Sequence, residues 1–230
     1  MEVNSETDFV GRNRDFQTFV ASVVATAHRD LGTGPQSVEE LLEKHISAPY
    51  KEQTVKDALI DAVNGIRENI SIKRVHSVDV SGAGGVAGTY VHGRVGVEAG
   101  VLPDEVQMGS SAGMVVLEGG PDAADVSRKL AMHVVAARPA YASIQDVPAD
   151  VMEREAEVGR AQLEEEGGGK KKPADIVERI IAGKVQKRVG ELCLLEQAHV
   201  AEEGGPKVGK FLKASGLSLK EYALWTLGSS

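Results

Sequence analysis

Aromatic residues, cysteine and excess positive charge are all scarce in this sequence. Only 4% of its 230 residues are Phe, Trp or Tyr, so the core has to be built mainly from Val, Ile, Leu and Ala. A single cysteine, Cys193, excludes any disulfide within the chain and is typical of a reducing compartment. The formal net charge of −8 argues against general binding to nucleic-acid phosphates, which requires clustered Lys and Arg.

Long hydrophobic runs are missing as well. No apolar stretch approaches the roughly 20 residues that span a bilayer. The first residues also lack the basic segment and the apolar segment of a secretory signal. We therefore expect neither membrane association nor secretion.

Motifs that carry chemistry are equally hard to find. The glycine-rich stretch 82–88 lacks the Lys-Ser/Thr ending of a phosphate loop and is followed by a strand pattern, which favours a flexible hairpin turn. The six histidines and Cys193 have no metal-ligand spacing, and no serine lies in a nucleophile elbow. The sequence predicts no catalytic residue, no metal and no cofactor, and favours a protein that acts by binding another protein. A small-molecule enzyme that uses the 82–88 stretch is an alternative.

Hydrophobic periodicity predicts helices and strands in separate blocks. Helices are expected to begin after Asp15, Ser37, Thr54 and Pro121, with a short helix at 207–213. Strands are predicted at 72–78, 89–92, 95–97, 114–117, 191–196 and 222–227, the first four of them as an antiparallel meander. A charged helical pattern before Gly167–Gly169, and a second helical pattern after it that carries Val177, Ile180, Ile181 and Val185, predict a helical hairpin between 147 and about 187.

These blocks predict an α+β fold. We expect antiparallel strands with packed helices in two core subdomains, plus a helical hairpin that projects into solvent. The predicted division is a core subdomain at residues 1–140, the hairpin at 141–190 and the C-terminal part of the core at 191–230.

Two local patterns allow a structural and a functional interpretation. His133 falls on the apolar face of its helix between Leu130 and Val134, where a core histidine with a satisfied hydrogen bond would also fit. In the range 7–10, Thr7 and Asp8 fit a helix cap, and Phe9 and Val10 fit core packing. An aromatic residue beside an acid where a strand turns into a helix also fits a binding anchor.

The second pattern belongs to a longer motif. The run Val-Asn-Ser-Glu-Thr-Asp-Phe-Val at 3–10, followed by Arg12-Asn13 and Phe16-Gln17, resembles the signature of the elongation factor Ts family. Further segments resemble that family in the expected order, at 69–74, 90–97, 130–137, 147–148, 171–173 and 194–197. The resemblance covers essentially the whole chain.

The resemblance implies a guanine-nucleotide exchange factor that is not an enzyme. It implies a heterodimer with elongation factor Tu, whose GDP release is accelerated, and no direct contact with nucleic acid. In that family the Thr-Asp-Phe-Val segment enters the partner's GTPase domain and dislodges Mg²⁺. By resemblance, Thr7, Asp8, Phe9 and Val10 take this role here, with Phe9 as the wedge.

Other partner contacts are implied in the same way. Val95 and Gly96 match a hairpin tip, and His133 matches a helix residue at the surface, all facing the GTPase domain. Val200 and Ala201 match a loop that touches another domain of the partner.

The sequence also departs from the family pattern. No segment that resembles the family's small N-terminal helical domain precedes the signature, so we expect either that the chain is a fragment or that the domain is missing. Ala198 replaces a common Pro, and residues 222–230 lack the Arg and Glu of the usual closing motif. A structural or chaperone-like partner of elongation factor Tu, without efficient exchange, is therefore the alternative function. The divergent C-terminus and the Gly/Ala-rich insertions favour the mitochondrial matrix, with plastid stroma and bacterial cytoplasm as alternatives.

Overall fold

The computed structural model describes residues 1–50, 52–78, 80, 85–96, 106–165, 173–202 and 204–228. Within these ranges the helices are α1 (Arg14–Asp30), α2 (Val38–Leu42), α3 (Val55–Ile66), α4 (Ala123–Ala137), α5 (Ala149–Glu165), α6 (Ala174–Leu192) and α7 (Val208–Ala214). The strands are β1 (Glu2–Ser5), β2 (Gly34–Gln36), β3 (Ile70–Ser77), β4 (Gly85–His92), β5 (Ser111–Gly119) and β6 (Leu217–Thr226). The predicted α+β class is confirmed.

The first of two compact units contains residues 1–83, 91–112 and 225–230. Its sheet has the order β1-β3-β2, and both pairings are antiparallel. In β3, Ile70, Ile72 and Val75 are buried. They share one core cluster with the apolar face of α1, where Phe19 and Val23 are fully buried. This core anchors β1 and α1, which lie on either side of residues 6–13 within the family signature.

Helix starts in this unit follow capping chemistry. Asn13 has extended backbone angles, and its side chain accepts hydrogen bonds from the N–H groups of Asp15 and Phe16. The prediction of Asp15 as N-cap is therefore wrong by two residues, since Asn13 satisfies the free N–H groups of the first turn. The predicted caps at Ser37 and Thr54 are confirmed, and Thr54 forms a capping box with Asp57.

The second unit contains residues 84–90 and 113–224. The second sheet has the order β4-β5-β6, and most residues of its strands belong to this unit. The core unites β5, β6, α4 and α7, with Val115, Leu117, Leu130, Val134 and Val208 fully buried. Gly88 permits β4 to pass very close to α4, because a Cβ there would overlap the backbone of Ser127 and Arg128.

Helices α5 and α6 form an antiparallel pair in the second unit. Arg188 forms an ion pair with Glu155 at 2.6 Å, and Arg160 lies 3.9 Å from Glu178. The two helices share a separate buried cluster, which also includes one residue just before α5 and one just after α6. Its members are Val147, Leu163, Ile181, Val185, Val189 and Cys193. The helical hairpin is thus present, and its projection into solvent stays a prediction.

Three strand predictions are wrong. Helix α6 runs to Leu192 and a 3₁₀ turn follows at Leu194–Glu196, so the range 191–196 is not a strand. Its apolar run is too short for periodicity to distinguish strand from helix. Residues 95 and 96 lie outside any strand, and residue 97 lies outside the described ranges. The meander is also wrong, because β3 pairs with β1 and β2, which are distant in sequence.

The units do not follow consecutive ranges. Each is assembled from separated segments of the chain, and their limits do not coincide with the predicted limits at residues 140 and 190. The three-part division stays a prediction. No helix in the described ranges is long and apolar enough to cross a bilayer.

Candidate functional site

The segment Glu6–Phe9 is exposed between two anchored elements of the first unit. It follows β1, which is paired with β3 along its length, and it precedes buried Val10, which is 4% exposed. Phe9 is 76% exposed, the largest exposed fraction among the large apolar side chains of the described residues. The helix-cap interpretation of Thr7 and Asp8 is not needed, since Asn13 caps α1.

Several hydrogen bonds restrain this segment. The carboxylate of Glu68 accepts from the Thr7 N–H at 3.0 Å and from the Thr7 hydroxyl at 2.7 Å. The Ser5 hydroxyl donates to the Thr7 carbonyl at 2.9 Å. Beyond Phe9 the chain enters a 3₁₀ turn, in which the Arg12 N–H donates to the Phe9 carbonyl at 3.1 Å. An exposed aromatic side chain is thus carried by a backbone that is restrained on both sides.

The predicted hairpin-tip residues lie beside the signature, as members of the same unit. Buried Gln17 donates from its Nε2 atom to the Gly11 carbonyl at 2.9 Å and to the Gly96 carbonyl at 3.4 Å. Gly11 also faces Val95, whose Cγ2 atom would lie 3.8 Å from a Cβ at that position. Val95 and Gly96 are therefore held next to the 3₁₀ turn that follows Phe9.

His133 is completely buried in the second unit, so the expected surface position is wrong. Its Nδ1 atom accepts from the Val200 N–H at 3.2 Å, and its Nε2 atom lies 3.0 Å from Oε1 of Gln197. The Gln197 amide group donates to the Glu191 carbonyl, which orients its oxygen toward His133. These partners fit a neutral ring with its proton on Nε2. Helical periodicity places His133 on the apolar face of α4, and the packing of the 197–201 loop covers it.

Burial decides the ionisation of this histidine and its neighbour. Burial lowers the pKa of His133, although the Gln197 bond acts in the opposite direction. Burial and the adjacent His133 also lower the pKa of His199, whose ring centroid lies 5.4 Å from that of His133. The Nε2 atom of His199 is buried and has no hydrogen-bond partner among the described residues. Both rings are therefore held in the neutral form at pH 7.

Val200 and Ala201 lie directly above this histidine pair. The Val200 N–H bonds to His133, and the Ala201 N–H donates to Nδ1 of His199 at 3.2 Å. Val200 itself is 58% exposed. The structure thus brings His133, Val200 and Ala201 together, with the histidine beneath the loop and the valine at its surface.

Within the described ranges, no three His, Cys, Asp or Glu side chains converge as they would around a metal ion. Gly85 and Gly88 belong to β4, which corrects the turn interpretation for that half of the glycine-rich stretch, while residues 82–84 lie outside the described ranges. The close approach of Gly88 to α4 explains one of these glycines by packing.

Comparison with known proteins agrees with the signature. A family model described as elongation factor Ts matches residues 6–229. The chain belongs to the elongation factor Ts family. Elongation factor Ts of Trichlorobacter lovleyi is 37% identical over 99% of this chain and 70% of its own length. The proteins of the same name from Anaplasma phagocytophilum and Alcanivorax borkumensis are 36% and 35% identical, over 96% and 99% of this chain and 70% and 69% of their own lengths.

Family membership makes this chain a translation elongation factor of protein biosynthesis. The expected mitochondrial location finds no support, since these relatives are bacterial.

Sequence reasoning missed one residue of the site. Glu68, whose carboxylate holds Thr7, is 61 positions away along the chain, and no local motif indicated it. The strand register supplies the missing information, because Ser5 pairs with Ile70. Continuing that antiparallel register by two residues on each strand brings Thr7 opposite Glu68.

Proposed function

We propose that this elongation factor Ts family member binds elongation factor Tu in its GDP-bound form and accelerates release of the nucleotide. The observation that carries the proposal is Phe9, an exposed aromatic side chain at the tip of a restrained segment within the family signature. Buried aromatic anchors dominate the energetics of many interfaces. An apolar side chain this exposed contributes most to the free energy of binding when a partner buries it.

The proposed mechanism is displacement without covalent chemistry. Phe9 enters the GTPase domain of the partner near the nucleotide, and Thr7, Asp8 and Val10 accompany it. Mg²⁺ bridges and neutralises the phosphates of a bound nucleotide, so its dislocation weakens the hold on GDP. The restrained backbone around Phe9 supports this role, because a pre-organised segment loses less conformational entropy on binding.

The remaining predicted residues extend the contact. Val95 and Gly96, next to the signature, contact the same domain of the partner, and exposed Val200 with Ala201 contacts another. His133 supports the Val200 loop from below and need not touch the partner.

Stopped-flow release of fluorescent GDP from elongation factor Tu tests the proposal. Release should accelerate with increasing concentration of this chain and then saturate, as expected for a catalysed exchange. A separate binding measurement, such as calorimetry with the GDP-bound partner, completes the test. Binding without acceleration would contradict the exchange function and favour the structural or chaperone-like partner. No binding would contradict both.

The isolated chain should bind neither GDP nor GTP. The sequence has no complete phosphate loop, because its Gly-x4-Gly-Lys run at 204–210 is followed by Phe211 and not by Ser or Thr. We therefore expect the chain to act on the nucleotide only through the partner. Titration calorimetry of the chain with each nucleotide checks this expectation, and micromolar binding would instead support the small-molecule alternative.

A further inference from the structure

We propose that Glu68 is a positioning residue for nucleotide exchange, which holds the Thr7–Phe9 segment in its binding-competent conformation before the partner arrives. The inference rests on the proposed function, because it concerns how Phe9 is presented. It assigns a role to a side chain that lies outside the family signature.

The geometry of Glu68 is that of a two-point clamp. One carboxylate oxygen accepts the Thr7 N–H and the other accepts the Thr7 hydroxyl, at 3.0 and 2.7 Å. Hydrogen bonds to an ionised carboxylate are stronger than neutral ones. Two bonds to one residue restrain both its backbone and its side-chain torsion, which a single bond would not do.

The position of Glu68 is itself determined by the fold. Helix α3 ends at Ile66, and the capping residue Arg67 adopts left-handed backbone angles and donates its N–H to the Val63 carbonyl. The chain then turns directly into β3, whose first residue, Ile70, pairs with Ser5. Glu68 therefore lies between two fixed elements, and it can transfer their rigidity to the exposed segment.

Without this clamp, the Ser5 hydroxyl bond to the Thr7 carbonyl is the one remaining side-chain restraint before Phe9 among the described residues. Residues 6–9 are exposed, and buried packing resumes only at Val10. A freed segment would sample many conformations, and each binding event would then have to select the productive one. Loss of the clamp should therefore raise the concentration of chain needed for half-maximal exchange, while the exchange rate at saturation should stay nearly unchanged.

The test compares Glu68→Gln with Glu43→Gln in the stopped-flow exchange assay. Gln keeps the size of Glu68, but its single oxygen serves only one donor and its amide group opposes the other. Glu43 is exposed and in the same unit, and removal of its charge is the matched control. We expect Glu68→Gln to raise the half-saturating concentration roughly five- to twentyfold, with no such rise for Glu43→Gln. Equal values for the two variants would overturn the proposal.

Phe9→Ala in the same assay distinguishes failure of the proposed exchange function from failure of the positioning role of Glu68. If Phe9→Ala has no effect on exchange, the proposed function of the segment fails. If Phe9→Ala slows exchange and Glu68→Gln behaves like Glu43→Gln, only the positioning role fails. A large fall in melting temperature for Glu68→Gln, with exchange normal once corrected for the folded fraction, would show a purely structural residue.

Two further measurements distinguish the positioning role of Glu68 from a direct contact between Glu68 and the partner. Amide hydrogen exchange at Thr7, followed by NMR on the isolated chain, should accelerate in Glu68→Gln and not in Glu43→Gln. The effects of Glu68→Gln and Thr7→Val on half-saturation should be clearly less than additive, because both break the same clamp. Full additivity together with an unchanged Thr7 amide would contradict the positioning role.

Discussion

The Thr7–Val10 segment and the Val200 loop both present an exposed apolar side chain, but they are supported in different ways. The segment that carries Phe9 is held chiefly by two hydrogen bonds from Thr7 to the solvent-accessible Glu68 carboxylate. Val200 rests on two buried neutral histidines whose ring nitrogens accept the loop's N–H groups. Loss of the first support should weaken function and leave stability almost unchanged, whereas loss of the second should reduce stability.

The largest functional effect is expected for Phe9→Ala. Truncation of a central aromatic anchor should slow catalysed GDP release by about 100-fold, which corresponds to ~3 kcal/mol. The melting temperature should stay within a degree or two of the parent, because Phe9 is 76% exposed. Ile60→Ala on α3, an exposed apolar position in the same unit, is the control and should exchange normally. If Phe9→Ala accelerates GDP release as fast as the parent, the proposed functional role of the Thr7–Val10 segment is wrong.

His133→Ala should have the largest effect on stability. It removes a fully buried side chain and leaves the Val200 N–H and the Gln197 oxygen without their partner, at a cost of about 2 kcal/mol or more. Chemical denaturation measures the loss, and exposed His28→Ala should change stability by less than about 0.5 kcal/mol. A variant with parental stability but slow exchange would show that His133 contacts the partner directly.

A pH dependence should follow from the same histidines. Burial lowers their pKa values below the ordinary histidine value of about 6.5, so the unfolded chain binds protons more readily than the folded one as the pH falls. The stabilisation is thus complete above about pH 6.5 and is lost as the pH falls through the folded-state values. Melting temperatures between pH 8 and 5 should decline less steeply for His133→Gln than for the parent. If the melting temperatures of the parent and the variant decline in parallel, His133 is not a buried neutral residue.

Val200→Ala should have the smallest effect. The side chain is exposed in the isolated chain, and its backbone N–H, which bonds to His133, is retained. We expect half-saturation of exchange to rise about threefold, in line with a contact outside the central anchor, without a change in melting temperature. If Val200→Ala weakens exchange as much as Phe9→Ala does, the Val200 loop is no less important for exchange than the Thr7–Val10 segment, which contradicts the expected ranking.

The sequence predicted a large part of this fold for identifiable reasons. Capping chemistry located the starts of α2 and α3, and apolar periodicity located α1 and α4. The charged helical pattern and the glycine-rich turn after it, with the apolar residues of the second helix, located the α5–α6 pair. The errors fall where local patterns are ambiguous, as in the apolar run of 193–195, which is a 3₁₀ turn. The pairing of β3 with β1 and β2 was missed because strand partners are distant in sequence.

The candidate site shows the same limit. The resemblance selected Thr7–Val10 and the Val200 loop, and the structure brings Val95 and Gly96 beside the first and His133 beneath the second. Whether each residue contacts the partner stays a prediction. The burial of His133 was one of two alternatives that periodicity left open, because an apolar helix face predicts burial only if another segment covers it.

By itself the sequence determined the family, the fold class and the segment that carries Phe9, because these depend on residue order and on local capping and periodicity. Tertiary structure alone decided which groups support that segment and which side chains are buried. The Glu68 clamp depends on the register between β1 and β3, and the neutral state of His133 depends on a loop that begins 64 residues later. Hydrogen bonds and burial of this kind arise from segments distant in sequence, and no local pattern encodes them.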